Sequence, residues 1–185
     1  TGPTDQVDVA GLLGTFAERA FRRPVAPAEV APFVALVRSQ MNPEPVEFKT
    51  TAIQDLTYRS YKGKWNKLPK FSTLTPVGQG ALVNGLLDLR PANIEEHFGM
   101  VFEGNLNARQ AGEYHFQIAS DDGSRVIVGG QTVIEHDGLH GASTRKGVVQ
   151  LKAGLHPIRV EYFAYGKPNS LQASWSGAGF ATTPL

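Results

Sequence analysis

From Phe98 onward the apolar residues fall at every second position, and this alternation constrains the fold more than any other feature. Phe98, Met100 and Phe102 alternate with other residues, as do Tyr114, Phe116 and Ile118. Val126 and Val128 continue the pattern, followed by Ile158, Val160 and Tyr162, then Leu171, Ala173 and Trp175. A period of two places one face of an extended strand toward a core. Turn sequences separate the runs: QAGE (110–113), DDGS (121–124), GGQ (129–131), KAGLHP (152–157) and YGKPNS (165–170). Strands this short, joined by turns this tight, predict an all-β antiparallel sandwich rather than βαβ units. The 20 glycines and 12 prolines suit that many turns.

The first quarter of the chain has a different period. Val9, Leu12, Leu13, Phe16, Ala17 and Ala20 recur at spacings of three and four, with Asp8 placed to cap the helix they predict. FRRPVAP (21–27) interrupts it with two prolines. A second helix is expected to start at Pro27, with Val30, Phe33, Val34 and Val37 on one face and Pro32 in about the first turn. Two short helices bury little by themselves, so they are expected to pack on the sandwich or on another part of a parent protein. Residues 42–54 have no clear period and read as a linker. The expected organisation is therefore a helical segment over 1–41, a linker over 42–54 and a sandwich over 55–185. The opening TGPTDQ, without an initiator Met or signal peptide, reads like a fragment of a longer protein.

Composition excludes several functions. With 185 residues, 18 Lys+Arg and 17 Asp+Glu, the chain has no global field to draw it to nucleic acid, and no run of like charge appears. The absence of cysteine excludes disulfides, thiolate metal sites and cysteine nucleophiles. No stretch of 18 apolar residues is present, so no membrane insertion is expected. Nucleotide-binding and serine-hydrolase glycine motifs are missing. Glu95, Glu96, Glu103 and Glu161 have no spacing that supports glycoside hydrolysis, and Glu103 and Glu161 fit solvent-facing strand positions. No enzyme activity is expected.

The string FEGNLNARQAGEYHFQIASDDGSRVIVGGQTVIEHDGLHG (102–141), with VVQLKAGLHPIRVEYF (148–163) and LQASW (171–175), resembles the PA-fourteen domain. LTYRSYKGKWNKLPKFSTLTPV (56–77) resembles the opening strand and loop of its bacterial members, so the resemblance spans about 130 residues. That β-sandwich is named after anthrax protective antigen and also occurs in yeast flocculin adhesins and bacterial carbohydrate-active proteins. FAERAFRRPVAPAEVAPFVALV (16–37) resembles a helical segment of cytochrome-associated proteins of planctomycete-type bacteria. PA-fourteen domains also appear in those proteins, and this second resemblance implies a secreted or periplasmic parent involved in polysaccharide use.

In sugar-binding members, two adjacent Asp residues in the turn occupied here by Asp121 and Asp122 hold a Ca²⁺ whose shell sugar hydroxyls complete. Side chains of a trans pair diverge, whereas a cis peptide brings the two Cα atoms to about 2.9 Å. A non-proline cis bond costs roughly 3 kcal/mol, which a divalent cation between the carboxylates offsets. Calcium takes about 6–8 oxygens, leaving room for carbonyls and ligand hydroxyls. The resemblance implies a second loop, FAYGKPNSL (163–171), where Asn169 is the candidate third metal ligand. Lys167 departs from the family pattern, because its ammonium competes with a cation for the same carboxylates. Without the resemblance, Asp-Asp-Gly also reads as an ordinary turn in which Gly123 takes a positive φ.

Tyr165 stands beside the second loop as an aromatic platform, and Trp65, Tyr61 and Phe163 are further platform candidates. Trp65 reads equally as the anchor of a long loop, and Trp175 reads as core. His136 and His140 have helical i,i+4 spacing, but Gly138 argues against a helix and a zinc site there. The segment DGLHG (137–141) reads either as flanking the ligand loop, which makes His140 a candidate contact, or as a structured connection. The sequence thus predicts a lectin-like, non-catalytic carbohydrate-binding module with Ca²⁺ as cofactor. Its ligand-binding residues are expected to be Asp121, Asp122, Tyr165, Lys167, Asn169 and His140, and its partners a glycan and other domains of the parent. The alternative is a metal-free structural or protein-interaction domain.

Overall fold

Every strand pairing in this computed structural model is antiparallel, and the strands divide into two sheets. The structure describes residues 8–41, 52–177 and 179–185, which fall in two compact units, Thr1–Lys49 and Thr50–Leu185. Most of the expected linker, residues 42–51, lies outside the described residues.

In the first unit, α1 (Val9–Phe21) and α2 (Pro27–Met41) pack against each other. The Asp8 carboxylate accepts the Gly11 amide at 3.0 Å and so caps α1 as expected. The prolines and Arg22, which adopts a left-handed conformation, end it. Arg23 bonds Glu29 of α2 at 2.7 Å, tightening the connection. Pro32 is five residues past Pro27, in the second turn rather than the first, where it removes an interior hydrogen bond. Only part of each predicted apolar face is buried. Val9, Ala17 and Val30 are covered, whereas Leu12, Phe16 and Phe33 stand out from the hairpin taken by itself.

The second unit is the sandwich. Its strands are β1 (Ile53–Lys62), β2 (Gly78–Ala81), β3 (Phe98–Ala108), β4 (Gly112–Asp121), β5 (Ser124–Val128), β6 (Gln131–His136), β7 (Ser143–Leu151), β8 (Gly154–Ala164), β9 (Ser170–Gly177) and β10 (Phe180–Pro184). Strand β1 begins at Ile53, two residues before the expected start of the sandwich. One sheet has the order β2-β1-β3-β8-β5-β6 and the other β10-β9-β4-β7. The predicted alternating residues fill the space between them: Phe98, Met100, Phe102, Tyr114, Phe116, Ile118, Val126, Val160 and Tyr162 are all fully buried. Trp175 joins this core, stacked on Tyr114 with ring centroids 5.4 Å apart. At the β5–β6 turn Gly129 and Gly130 have φ of 57° and 81°, as a two-residue hairpin connection requires.

The outward face of the six-stranded sheet carries a ladder of alternating charges. Arg59 on β1 bonds Glu103 on β3 at 2.5 Å, and Arg159 on β8 also bonds Glu103. Glu161 on β8 pairs with Arg159 at 2.7 Å and with Arg125 on β5 at 3.0 Å, and Arg125 in turn reaches Glu135 on β6 at 2.6 Å. The expectation that Glu161 faces open solvent is therefore corrected: it is 7% exposed, because two arginines fold over it.

Candidate functional site

Three connections meet at one end of the sandwich, and the β4–β5 turn is their centre. Ser120 and Ser124, at the base of this turn, share a buried Oγ–Oγ hydrogen bond of 2.8 Å. Between them the Asp121–Asp122 peptide is cis. The Tyr162 hydroxyl, on the opposing sheet, donates to the Asp121 carbonyl at 2.5 Å. Burial pushes the Tyr162 phenol far above its usual value of 10, with help from the Asp121 and Asp122 carboxylates, so it stays protonated as a donor.

Asp122 is 8% exposed and ties the three connections together. Its Oδ1 accepts the His140 amide at 3.1 Å from the β6–β7 connection. Its Oδ2 accepts the Tyr165 amide at 2.8 Å from the β8–β9 connection. Among the described residues no basic side chain forms an ion pair with Asp121 or Asp122. A carboxylate has about four lone-pair sites, so two amide donors leave acceptor capacity on Asp122.

Gly123 does not adopt a positive φ, which corrects the plain-turn argument. What it supplies is space: a Cβ there would lie 2.4 Å from Phe163 Cε1 and 3.1 Å from the Gly138 amide nitrogen. The missing side chain lets the 137–142 connection lie close against the turn.

The second loop is arranged differently from the sequence expectation at one residue. Lys167 does not occupy the Asp pair; its ammonium bonds Glu95 at 2.5 Å, which raises it above its usual range. Asn169 Nδ2 donates to the Glu95 carbonyl at 2.6 Å, leaving Oδ1 as the acceptor end of that amide. Glu95 thus organises the second loop, a role the sequence reading missed. Its only sequence signal was an acidic residue in a turn-rich stretch before a strand. Tyr165 is 37% exposed, packs edge-on to His97 with ring centroids 5.4 Å apart, and carries Lys64 Nζ 4.8 Å from its own centroid.

Two proposed platforms are corrected. Tyr61 is 3% exposed and Phe163 is fully buried, because other segments cover them on the outer face of the six-stranded sheet: Tyr61 lies under Phe71, with ring centroids 5.0 Å apart, and Phe163 lies against Gly123. Trp65 packs edge-on to Phe71 and anchors the 63–70 loop. His136 and His140 do not lie on a helix; their rings stack at 3.9 Å and share Ser143 Oγ at 2.9 and 3.3 Å. Burial, then His140, then Arg145, lower the tendency of His136 to protonate below its ordinary 6.5.

Among the described residues no three His, Asp or Glu side chains converge on one point. A cation at the turn would draw on Asp121, Asp122, Asn169 Oδ1 and backbone carbonyls. This donor set is all oxygen, as hard cations such as Ca²⁺ require, and it fits that group chemically.

No curated protein matches the sequence. Among solved structures, the PA14 sugar-binding domain from an RTX adhesin superposes with a TM-score of 0.57 at 23% identity, covering 72% of this chain and 96% of that one. An anti-sigma factor domain-containing protein from Clostridium clariflavum gives 0.57 at 19% identity, covering 77% of this chain and 50% of that one. The Candida glabrata epithelial adhesin 9 A domain, solved with Galb1-3GlcNAc, gives 0.52 at 15% identity over 72% of this chain and 87% of that one. These likenesses share the sandwich. The family model described as PA14 domain matches residues 75–182, more than half of the sequence and the whole of the three-loop end: this chain belongs to the PA14 domain family.

Proposed function

We propose that the chain is a non-catalytic carbohydrate-binding module of a larger extracytoplasmic protein. It holds Ca²⁺ through Asp121, Asp122 and Asn169, and the ion coordinates glycan hydroxyls beside Tyr165. The observation that carries this reading is Asp122: a buried carboxylate next to a second carboxylate, held by two backbone amides and, among the described residues, by no cationic side chain. Burying uncompensated negative charge is costly, and a bound cation removes that cost. Family membership and the sugar-binding names of two structural neighbours support the ligand class. The parent protein, as the helical segment's resemblance implies, uses polysaccharide outside the cytoplasm.

The test is a glycan array probed in 2 mM CaCl₂ and in EDTA with wild type and Asp122→Ala. Binding that needs calcium and disappears in the variant is expected. Binding by wild type that is indifferent to EDTA would reject the metal. The second reading, a structural or interaction domain, is favoured by Leu12, Phe16 and Phe33, which the helical unit by itself leaves uncovered. It predicts no glycan binding under either condition.

A further inference from the structure

The 62–70 loop, KGKWNKLPK, holds four lysines and no acidic residue, although the whole chain carries a formal charge of only +1. The lysines are spaced rather than contiguous, so they form no run of like charge along the sequence. Lys62, Lys64, Lys67 and Lys70 are all exposed, and none forms a salt bridge among the described residues. Arg59, Arg125 and Arg159, by contrast, are paired with carboxylates on the strand ladder.

This loop is fastened to the three-loop end at three points. Gly63 donates its amide to the His97 carbonyl at 2.9 Å, and His97 packs on Tyr165. Lys64 places its ammonium over the Tyr165 ring. The Leu68 amide bonds Asp137 Oδ1 at 2.6 Å, which also takes the Gly138 amide at 2.8 Å. Trp65 and Leu68 pack inward, so the loop has an apolar anchor and its lysines are left at the surface. Two acids beside the loop are already engaged: Asp137 by these amides and Glu95 by Lys167.

We infer that this loop makes the site selective for anionic glycans, with carboxylate or sulfate groups of the sugar chain meeting Lys64, Lys67 and Lys70 beside Tyr165. Neutral sugars have no use for four uncompensated ammonium groups, whereas acidic sugar units form charge-assisted hydrogen bonds with them and are drawn in by their field. The inference rests on the glycan-binding reading above and names the class of glycan.

The experiment measures calorimetric affinity of the full chain for three tetrasaccharides in 2 mM CaCl₂: oligogalacturonate, a sulfated galactose oligomer and neutral galactose oligomer. An acidic tetramer is expected to bind about tenfold tighter than the neutral one, since each exposed ion pair contributes a factor of roughly two to five. The advantage should shrink in 1 M salt, where the Debye length falls to about 3 Å. The triple variant Lys64→Gln, Lys67→Gln, Lys70→Gln should lose the preference and keep its affinity for the neutral tetramer. The two acidic arms tell uronate from sulfate. Equal binding of acidic and neutral tetramers by wild type, no binding of any of them, or a preference that survives in the triple variant would overturn the inference. So would equal affinity for phosphatidylserine vesicles or for a duplex DNA. Acidic binding that persists in EDTA and in Asp122→Ala, yet is lost in the triple variant, would leave the lysine loop standing and remove the calcium reading.

Discussion

Glu161 and Asp122 are buried to nearly the same degree, at 7% and 8% exposure, but the sandwich satisfies them by opposite means. Glu161 lies mid-strand on the outer face of the six-stranded sheet, where neighbouring strands bring Arg125 and Arg159 to it. Its charge is matched within the fold, and nothing further is needed. Asp122 lies where the strands stop, and its partners are two amide dipoles from two other connections. These satisfy its hydrogen bonding without supplying a positive charge. A closed ladder is therefore architecture, while a carboxylate satisfied in geometry but not in charge is what the proposed cation would answer.

The contrast breaks first at the ladder. Glu161→Ala leaves two half-buried arginines facing each other and should lower unfolding free energy by about 3 kcal/mol, read from the urea midpoint. A loss near zero would mean that the ladder is ornamental and the comparison empty.

The next test separates the two aspartates. In EDTA, Asp122→Ala strips the His140 and Tyr165 amides of their acceptor and should cost about 2 kcal/mol. Asp121→Ala removes a carboxylate with no such bond and should cost under about 0.5 kcal/mol, while abolishing any rise in melting temperature on adding calcium. If the two variants are equally unstable, Asp122 does not have the structural role assigned to it.

The smallest effect concerns pH. The protonation of His136 is depressed in the fold by burial and by His140, so its contribution is present above pH 6.5 and lost as pH falls through the folded-state value. The urea midpoint should therefore decline below about pH 6.5, and His136→Gln should flatten that part of the profile. Glu161→Ala should leave the same part of the profile unchanged.

Much of the sandwich was legible because alternation and turn chemistry are local. The runs at Tyr114–Ile118 and Ile158–Tyr162, and the turns between them, are where the pattern puts them. The sequence alone left the Asp121–Asp122 peptide open between cis and trans, naming cis only as what two neighbouring carboxylates need in order to act together; the bond is cis. What stayed hidden depends on the packing of distant segments. Gly123 reads as a left-handed turn residue until Phe163, forty residues later, is seen against it. Lys167 reads as a competitor for the Asp pair until Glu95, 72 residues earlier, is seen to hold it. Tyr61 and Phe163 read as platforms because aromatic character in a sequence does not reveal which distant segment covers the outer face of a strand.

The Tyr162 hydroxyl adds one more consequence. Tyr162 belongs to the six-stranded sheet and Asp121 to the four-stranded one, so their hydrogen bond works as a tie-rod between two plates. The spacing of the plates sets the attitude of the turn, and a tug on either plate is felt at the turn. Because burial keeps the phenol protonated far into alkali, this fastening holds at pH values where an exposed tyrosine would ionise. The turn is thus clamped from beneath by a strut that carries no group titrating near neutrality.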